Sequence, residues 1–256
     1  MNSLLLMGKV KARLILAFAM ILFAITVIIL ISLIEDDGIK KILIDANASY
    51  FPITIQNFMW VFFFLGIGEL IYRFMYGQFT YRMIKSNLLP DDESVIFTKN
   101  ETRELYKNIK DRSKLPNDMV NILKKLILNF QATGSIAQVQ ELFNTQMDLK
   151  YNQSDTDYSM IRYITWLIPT LGFIGTVIGI SLALSFAAEN DPQAATFLSG
   201  LTSQLSVAFY TTLVGLVMSA ILVFFMYVVI NYEEGSMYKL EEHILDNFIN
   251  RLYVKQ

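Results

Sequence analysis

The sequence lacks cysteine altogether and contains a single histidine, His243. The absence of cysteine excludes disulfides, thiolate metal sites and cysteine nucleophiles. One histidine argues against a histidine-built metal site or catalytic triad. The sequence also lacks a phosphate-binding glycine loop, a Gly-x-Ser-x-Gly elbow and a His-Glu-x-x-His motif. We therefore predict that the protein is not an enzyme and holds neither a metal ion nor a cofactor.

Charged residues are scarce as well, at 17% of 256 residues, whereas an average soluble domain has about 25%. Hydrophobic residues make up 54% of the chain. The formal net charge is −2, so nothing in the charge indicates a nucleic-acid partner. This composition is typical of a membrane protein.

Four apolar segments are long enough to cross a bilayer as helices, which takes about 20 residues. They cover residues 14–34, 55–76, 161–186 and 201–230. We interpret the first as a retained helix and not a signal peptide, because its apolar run is too long and no small-residue cleavage site follows. The fourth exceeds what a bilayer needs, so we expect it to tilt or to project beyond the membrane.

The basic residues predict the orientation of these helices. Three of them lie between residues 9 and 13, and three more between residues 73 and 85. The loop 187–200 contains carboxylates and neither lysine nor arginine. Because loops rich in lysine and arginine stay in the cytoplasm, both termini are predicted to be cytoplasmic.

These assignments divide the chain into four parts and define its fold class. Residues 1–76 contain the first two membrane helices, 77–158 a cytoplasmic helical insert, 159–232 the third and fourth membrane helices, and 233–256 an amphipathic tail helix. We predict an all-α membrane protein with four transmembrane helices. Inside the insert, apolar residues at three- and four-residue steps predict an amphipathic helix, namely Met119, Ile122, Leu123, Leu126, Ile127 and Phe130.

The role of the insert has two interpretations, which stay open at this point. It is either a small helical bundle beneath the membrane or a docking surface for a cytoplasmic partner. The tail repeats the helical pattern with an acidic polar face, which favours packing against protein over binding to anionic lipid. Its apolar face comprises Met237, Leu240, Ile244, Phe248 and Leu252.

Small residues form a stripe on each of the last two membrane helices. Such residues let helix backbones approach closely in lipid, and a lone threonine there usually bonds a carbonyl one turn back. Together, however, two stripes with hydroxyls would line a narrow polar path if the helices formed a ring. We assign helix packing to Gly172, Gly175, Gly179 and Gly215, and a candidate ion path to Thr176, Thr211, Thr212 and Ser219.

Two further features concern backbone and charge. Pro169 opens the hydrogen-bond ladder of the third helix and predicts a kink or a free carbonyl. Neither of the last two membrane helices contains a carboxylate, which a proton or sodium path normally needs, so that group must come from another chain. Glu69 and Arg73, four residues apart on the second helix, are interpreted as a structural pair near the membrane interface.

Two stretches resemble the signatures of the MotA/TolQ/ExbB proton channel family. They are IPTLGFIGTVIGI at residues 168–180 and LSVAFYTTLVGL at residues 205–216. The layout of four spans, with a long insert between the second and third, is most similar to the flagellar stator type. The resemblance implies a homopentamer in the bacterial inner membrane, whose last two helices surround the single membrane helices of two partner subunits.

The same resemblance implies a mechanism. Each partner helix would bring one aspartate that carries the ion, facing Thr176 and Thr212, and ion flow would turn the ring to do mechanical work. Val207 stands where ExbB and TolQ types usually have glutamate, and the fourth helix lacks a later proline, so we expect a divergent member. Protons are favoured over sodium as the commoner case. The alternative is a non-conducting membrane scaffold or receptor whose insert and tail bind partners.

Overall fold

The computed structural model describes residues 9–45, 51–86, 88–90, 95–112 and 118–254. Within these ranges the chain forms α-helices, one short 3₁₀ helix and no β-strand. The helices are α1 Lys9–Ser32, α2 Asp37–Leu43, α3 Ile55–Ile84, α4 Lys99–Arg112, α5 Asp118–Thr133, α6 Ile136–Glu189 and α7 Phe197–Asn247, followed by the 3₁₀ helix Ile249–Arg251. The predicted all-α class is confirmed.

Four of these helices, α1, α3, α6 and α7, are long and apolar enough to cross a membrane. They match the four predicted segments, except that α1 ends at Ser32 and not at residue 34, so the prediction of a four-span membrane protein is confirmed. Two of them run well beyond the span that a bilayer needs, since α6 has 54 residues and α7 has 51. No glycine or proline interrupts α6 between its start and Pro169, which lets the helix continue from the insert into the apolar segment.

The described chain folds as two compact units, with α1, α3, α6 and α7 contributing residues to both. We call Arg13–Ile71 with Ser159–Tyr227 the membrane unit. We call Tyr72–Tyr158 with Val228–Gln256 and the first residues up to Ala12 the insert–tail unit. The four-part division made from the sequence follows the order of the chain, and it stays a prediction.

The insert–tail unit has its own hydrophobic core. The apolar face of α5 is buried as predicted, with all six of its residues in the interior. Gly134 ends that helix at a positive φ of 66°, a conformation that glycine adopts without steric cost. The end of α7 packs in the same core. Most of the predicted tail helix is thus the last part of α7, which begins in the fourth apolar segment. Core residues include Phe130, Val139, Phe143, Leu240, Ile244 and Phe248.

The membrane unit combines close helix packing inside with large apolar side chains outside. A Cβ atom on Gly68 of α3 would lie 2.7 Å from Cγ of Met20, so α1 approaches α3 where glycine leaves room. Phe173 and Phe209 are 66% and 64% exposed in the single chain. Such an exposed apolar surface is suited to lipid or to further subunits.

Candidate functional site

Helices α6 and α7 of the membrane unit approach each other along a row of glycines. A Cβ atom on Gly172 would lie 2.9 Å from the carbonyl oxygen of Thr211, and one on Gly179 would lie 2.8 Å from the backbone nitrogen of Ala208. A Cβ atom on Gly175 would lie 2.6 Å from the Cβ atom of Thr211. Real Cβ atoms do not come so close to backbone, so only glycine permits this contact. The row is thus the packing surface for α7.

Two threonine hydroxyls meet at this row. The Oγ1 atoms of Thr176 and Thr212 are in hydrogen-bonding contact with each other. Thr176 also reaches the carbonyl oxygen of Ala208 on the other helix at 3.1 Å, and Thr212 reaches that of Gly172 at 3.2 Å. Both side chains are partly exposed. The pair therefore forms a small polar cluster, made of two hydroxyls and two carbonyls, on an otherwise apolar surface.

Thr211 has different surroundings from its neighbour. It is 1% exposed, packs against Gly175 and donates a 2.9 Å hydrogen bond to the carbonyl of Ala208. This carbonyl oxygen also accepts from the cluster described above. Thr211 is thus buried in the membrane unit, whereas Thr212 is partly exposed.

Pro169 and Ser219 are joined through the backbone of Thr165. A proline has no N–H, so the carbonyl four residues earlier has no helical donor. That carbonyl belongs to Thr165, and it accepts a 2.8 Å hydrogen bond from Oγ of Ser219. Gly215 lies one turn away, where a Cβ would be 3.2 Å from the oxygen of Ile168. The geometry gives Ser219 a structural partner, and its place on an ion path stays a prediction.

The charged residues of α3 contact groups that are distant in sequence. Glu69, in the membrane unit, accepts hydrogen bonds from Arg13 of α1. Arg73, in the insert–tail unit, is 3% exposed and bonds Glu233 at 3.0 Å and Asp157 at 3.3 Å. The pairing of Glu69 with Arg73 themselves stays a prediction.

Glu233 was missed by the sequence reasoning, which placed it on the polar face of the tail. It is buried, and its carboxylate also accepts from Ser154 at 3.0 Å and Tyr158 at 2.7 Å. The ring of Tyr158 lies 3.9 Å from the guanidinium carbon of Arg73. No local pattern could show this, because the partners of Glu233 are at least 75 residues away in sequence.

Asp45 was missed as well, and it lines a small cavity with the glycine row. It is 5% exposed, and burial raises the pKa of its carboxyl above the ordinary value. The sequence could not indicate this position, because Asp45 follows a short helix in a connecting segment without hydrophobic periodicity. It is a carboxylate of this chain beside α6 and α7, where none was expected.

The chain was compared with known proteins. A model of the MotA/TolQ/ExbB proton channel family matches residues 114–241, half of the chain. The match includes both signature stretches, the glycine row and the threonine cluster. No curated protein and no solved structure matched the chain. The flagellar stator type stays a prediction, whereas the wider assignment is confirmed: the chain belongs to the MotA/TolQ/ExbB proton channel family.

Proposed function

We propose that this chain is the ion-conducting ring subunit of a rotary membrane motor. Five copies would surround two copies of a single-span partner, each with one aspartate in its membrane helix. Proton flow through this aspartate would turn the ring about the partner pair and so do mechanical work. The complex would lie in the bacterial inner membrane with both termini of this chain in the cytoplasm.

The observation that carries this proposal is the hydroxyl cluster of Thr176 and Thr212. It lies at the glycine row, where α6 and α7 are in close contact, and it is partly exposed on the membrane unit. A carboxyl group brought to this cluster by another chain would find hydroxyl donors and carbonyl acceptors in an apolar environment, where hydrogen bonds are stronger than in water. The hydroxyl donors would therefore bind the ionised carboxylate, and the carbonyl acceptors would bind the protonated carboxylic acid.

A first experiment tests the proposed stoichiometry of five copies of this chain with two of the partner. The chain is co-expressed with the product of the neighbouring gene, and the purified complex is weighed by native mass spectrometry. We expect five copies of this chain with two of a single-span, aspartate-bearing partner. A stable monomer that captures no such subunit would contradict the proposal.

Ion conduction is tested with Thr212→Val in the same complex. Valine keeps the shape of threonine and removes the hydroxyl, so we expect assembly to persist and proton uptake into pyranine-loaded liposomes to be lost. The matched control is Thr202→Val on the same helix, because Thr202 is exposed and bonds only carbonyls of its own helix among the described residues. Full uptake in Thr212→Val would refute the pore assignment. A wild-type complex that assembles without conducting would favour the scaffold interpretation.

A further inference from the structure

The backbone just before Asp45 is held by Thr54, which precedes α3, and by Trp60 of α3. Oγ1 of Thr54 donates a 3.0 Å hydrogen bond to the carbonyl of Ile44, and Nε1 of Trp60 donates one of 3.0 Å to the carbonyl of Leu43. These bonds satisfy the last carbonyls of α2, which a helix end leaves without partners. Asp45 itself adopts a left-handed φ of 47°, which aspartate and asparagine tolerate better than most residues. The end of α2 therefore fixes the backbone from which the Asp45 side chain extends.

Asp45 lines a cavity inside the membrane unit. The cavity volume is about 10 Å³, close to the smallest space that holds one water molecule. Gln56 lines the same cavity, is 1% exposed, and its Nε2 atom has no hydrogen-bond partner within the described part of the chain. A buried amide without a partner is costly, which indicates that this space serves a polar occupant. The other lining residues include Gly175, Gly179, Val207 and Thr211.

The electrostatic surroundings of Asp45 are simple. Burial raises the pKa of its carboxyl, and the positive charge of Lys41, one turn earlier, acts in the opposite direction. Nζ of Lys41 donates a 2.8 Å hydrogen bond to Ser203. The cavity-lining residues of α3, α6 and α7 are uncharged. Asp45 is consequently the one carboxylate among the residues lining this cavity.

The cavity is close to the threonine cluster. Thr211 lines the cavity and donates to the carbonyl of Ala208, the same oxygen that Thr176 reaches at 3.1 Å. Asp45 and the threonine cluster are therefore separated by the cavity, the hydroxyl of Thr211 and this carbonyl oxygen. A carbonyl accepts hydrogen bonds but does not pass on a proton, so transfer between the two requires water.

We propose that Asp45 is a second proton-binding group of the ion path, supplied by this chain, which loads the proton before it reaches the partner's aspartate. This inference rests on the proposed function. In the loading step, hydronium gives a proton to the Asp45 carboxylate, which leaves a carboxylic acid and one water. In the release step, the proton passes through water to the partner's carboxylate, and Asp45 returns to its ionised form. With cytoplasmic termini, α2 lies at the external end of the path.

The test measures proton uptake into pyranine-loaded liposomes that contain the whole complex. Asp45→Asn keeps the size of the side chain and its tolerance of the left-handed backbone, and it removes the titrating group. We expect an unchanged complex mass and a loss of uptake of about a hundredfold, which is typical of removing a positioned proton-transfer group. The matched control is Asp37→Asn, because Asp37 begins α2, the short helix that Asp45 follows, and its side chain is 83% exposed. The control should conduct as the wild type does.

Asp45→Glu is the second variant, since it keeps a carboxylate if asparagine disturbs assembly. We expect it to conduct and to shift the pH of half-maximal uptake. Full uptake in Asp45→Asn, alongside loss in Thr212→Val, would overturn this inference and leave the proposed function standing. An unshifted pH profile in Asp45→Glu, or uptake of sodium without protons, would overturn it too. A wild-type complex without ion uptake would remove the proposed function and this inference together.

Discussion

The hydroxyl of Ser219 on α7 donates its hydrogen bond to the backbone carbonyl of Thr165 on α6, over 2.8 Å. This carbonyl is the one that Pro169 leaves without a helical donor. A side chain of α7 thereby supplies the hydrogen-bond donor that the backbone of α6 lacks. In a membrane this matters, because lipid offers no substitute donor.

Removal of that hydroxyl should destabilise the protein. We expect Ser219→Ala to lower the free energy of unfolding in detergent by about 1 kcal/mol, the usual scale of a hydrogen bond between membrane helices. In a Pro169→Ala background the helix regains its N–H donor, so the same substitution should cost less. Ser206→Ala is the control, because this exposed hydroxyl bonds a carbonyl of its own helix. Equal costs in both backgrounds would contradict the pairing.

Two glycines of the long helices should respond to alanine in opposite ways. At Gly179 the new Cβ would lie 2.8 Å from the backbone nitrogen of Ala208, so Gly179→Ala should force α6 and α7 apart and lower the thermal midpoint of unfolding. At Gly235 nothing lies within 4 Å. Gly235→Ala should therefore stabilise by about 0.5–1 kcal/mol, because alanine loses less backbone entropy in a helix. Circular dichroism melting of both variants checks the sign.

The buried pair of Arg73 and Glu233 should make Glu233→Ala costly. Their side chains are 4% and 5% exposed, and removing one partner of a buried pair leaves a poorly compensated charge, at about 3–5 kcal/mol. We expect a large drop in the unfolding midpoint, seen by differential scanning fluorimetry. Glu234→Ala is the matched control, since Glu234 is exposed and such changes usually stay within about 0.5 kcal/mol. Similar midpoints for the two variants would contradict a stabilising role for the pair.

The stability of the protein should depend on the ionisation of Asp45. Burial raises its pKa above the ordinary value of 3.8, so the folded state favours the neutral carboxyl. The resulting stabilisation is fully present below pH 3.8, the ordinary pKa, and it is lost as the pH rises through the higher pKa of the folded state. Asp45→Asn cannot ionise, so its midpoint should exceed that of the wild type at neutral pH, and the difference should shrink on acidification.

Asp37 is the control for this pH series, because its pKa is shifted in the opposite direction. Lys40 bonds Asp37 and lowers its pKa, so that carboxyl stabilises the fold above its ordinary pKa, and the effect is lost as the pH falls. Asp37→Asn should thus lose a little stability at neutral pH and none in acid. A pH-independent difference between wild type and Asp45→Asn would show that Asp45 is not held in a desolvated environment.

Much of the candidate site could be predicted from local sequence. Gly172, Gly175 and Gly179 recur on one helical face in the sequence, and in the structure all three lie against α7. The effect of Pro169 was predictable in kind, because a missing N–H always frees a carbonyl. The donor was not predictable, since Ser219 lies 54 residues from Thr165 in sequence.

The sequence by itself determined the class of this protein, its four spans and the faces of its helices. These properties depend on runs and periods of apolar residues, which act over one or a few helical turns. Only the tertiary structure decided that Thr211 is buried while Thr212 is partly exposed, that Arg73 meets Glu233, and that Asp45 lies beside the glycine row. Such contacts join residues far apart in sequence, and they form because burial in a packed interior leaves each polar group only the partners that other helices bring to it.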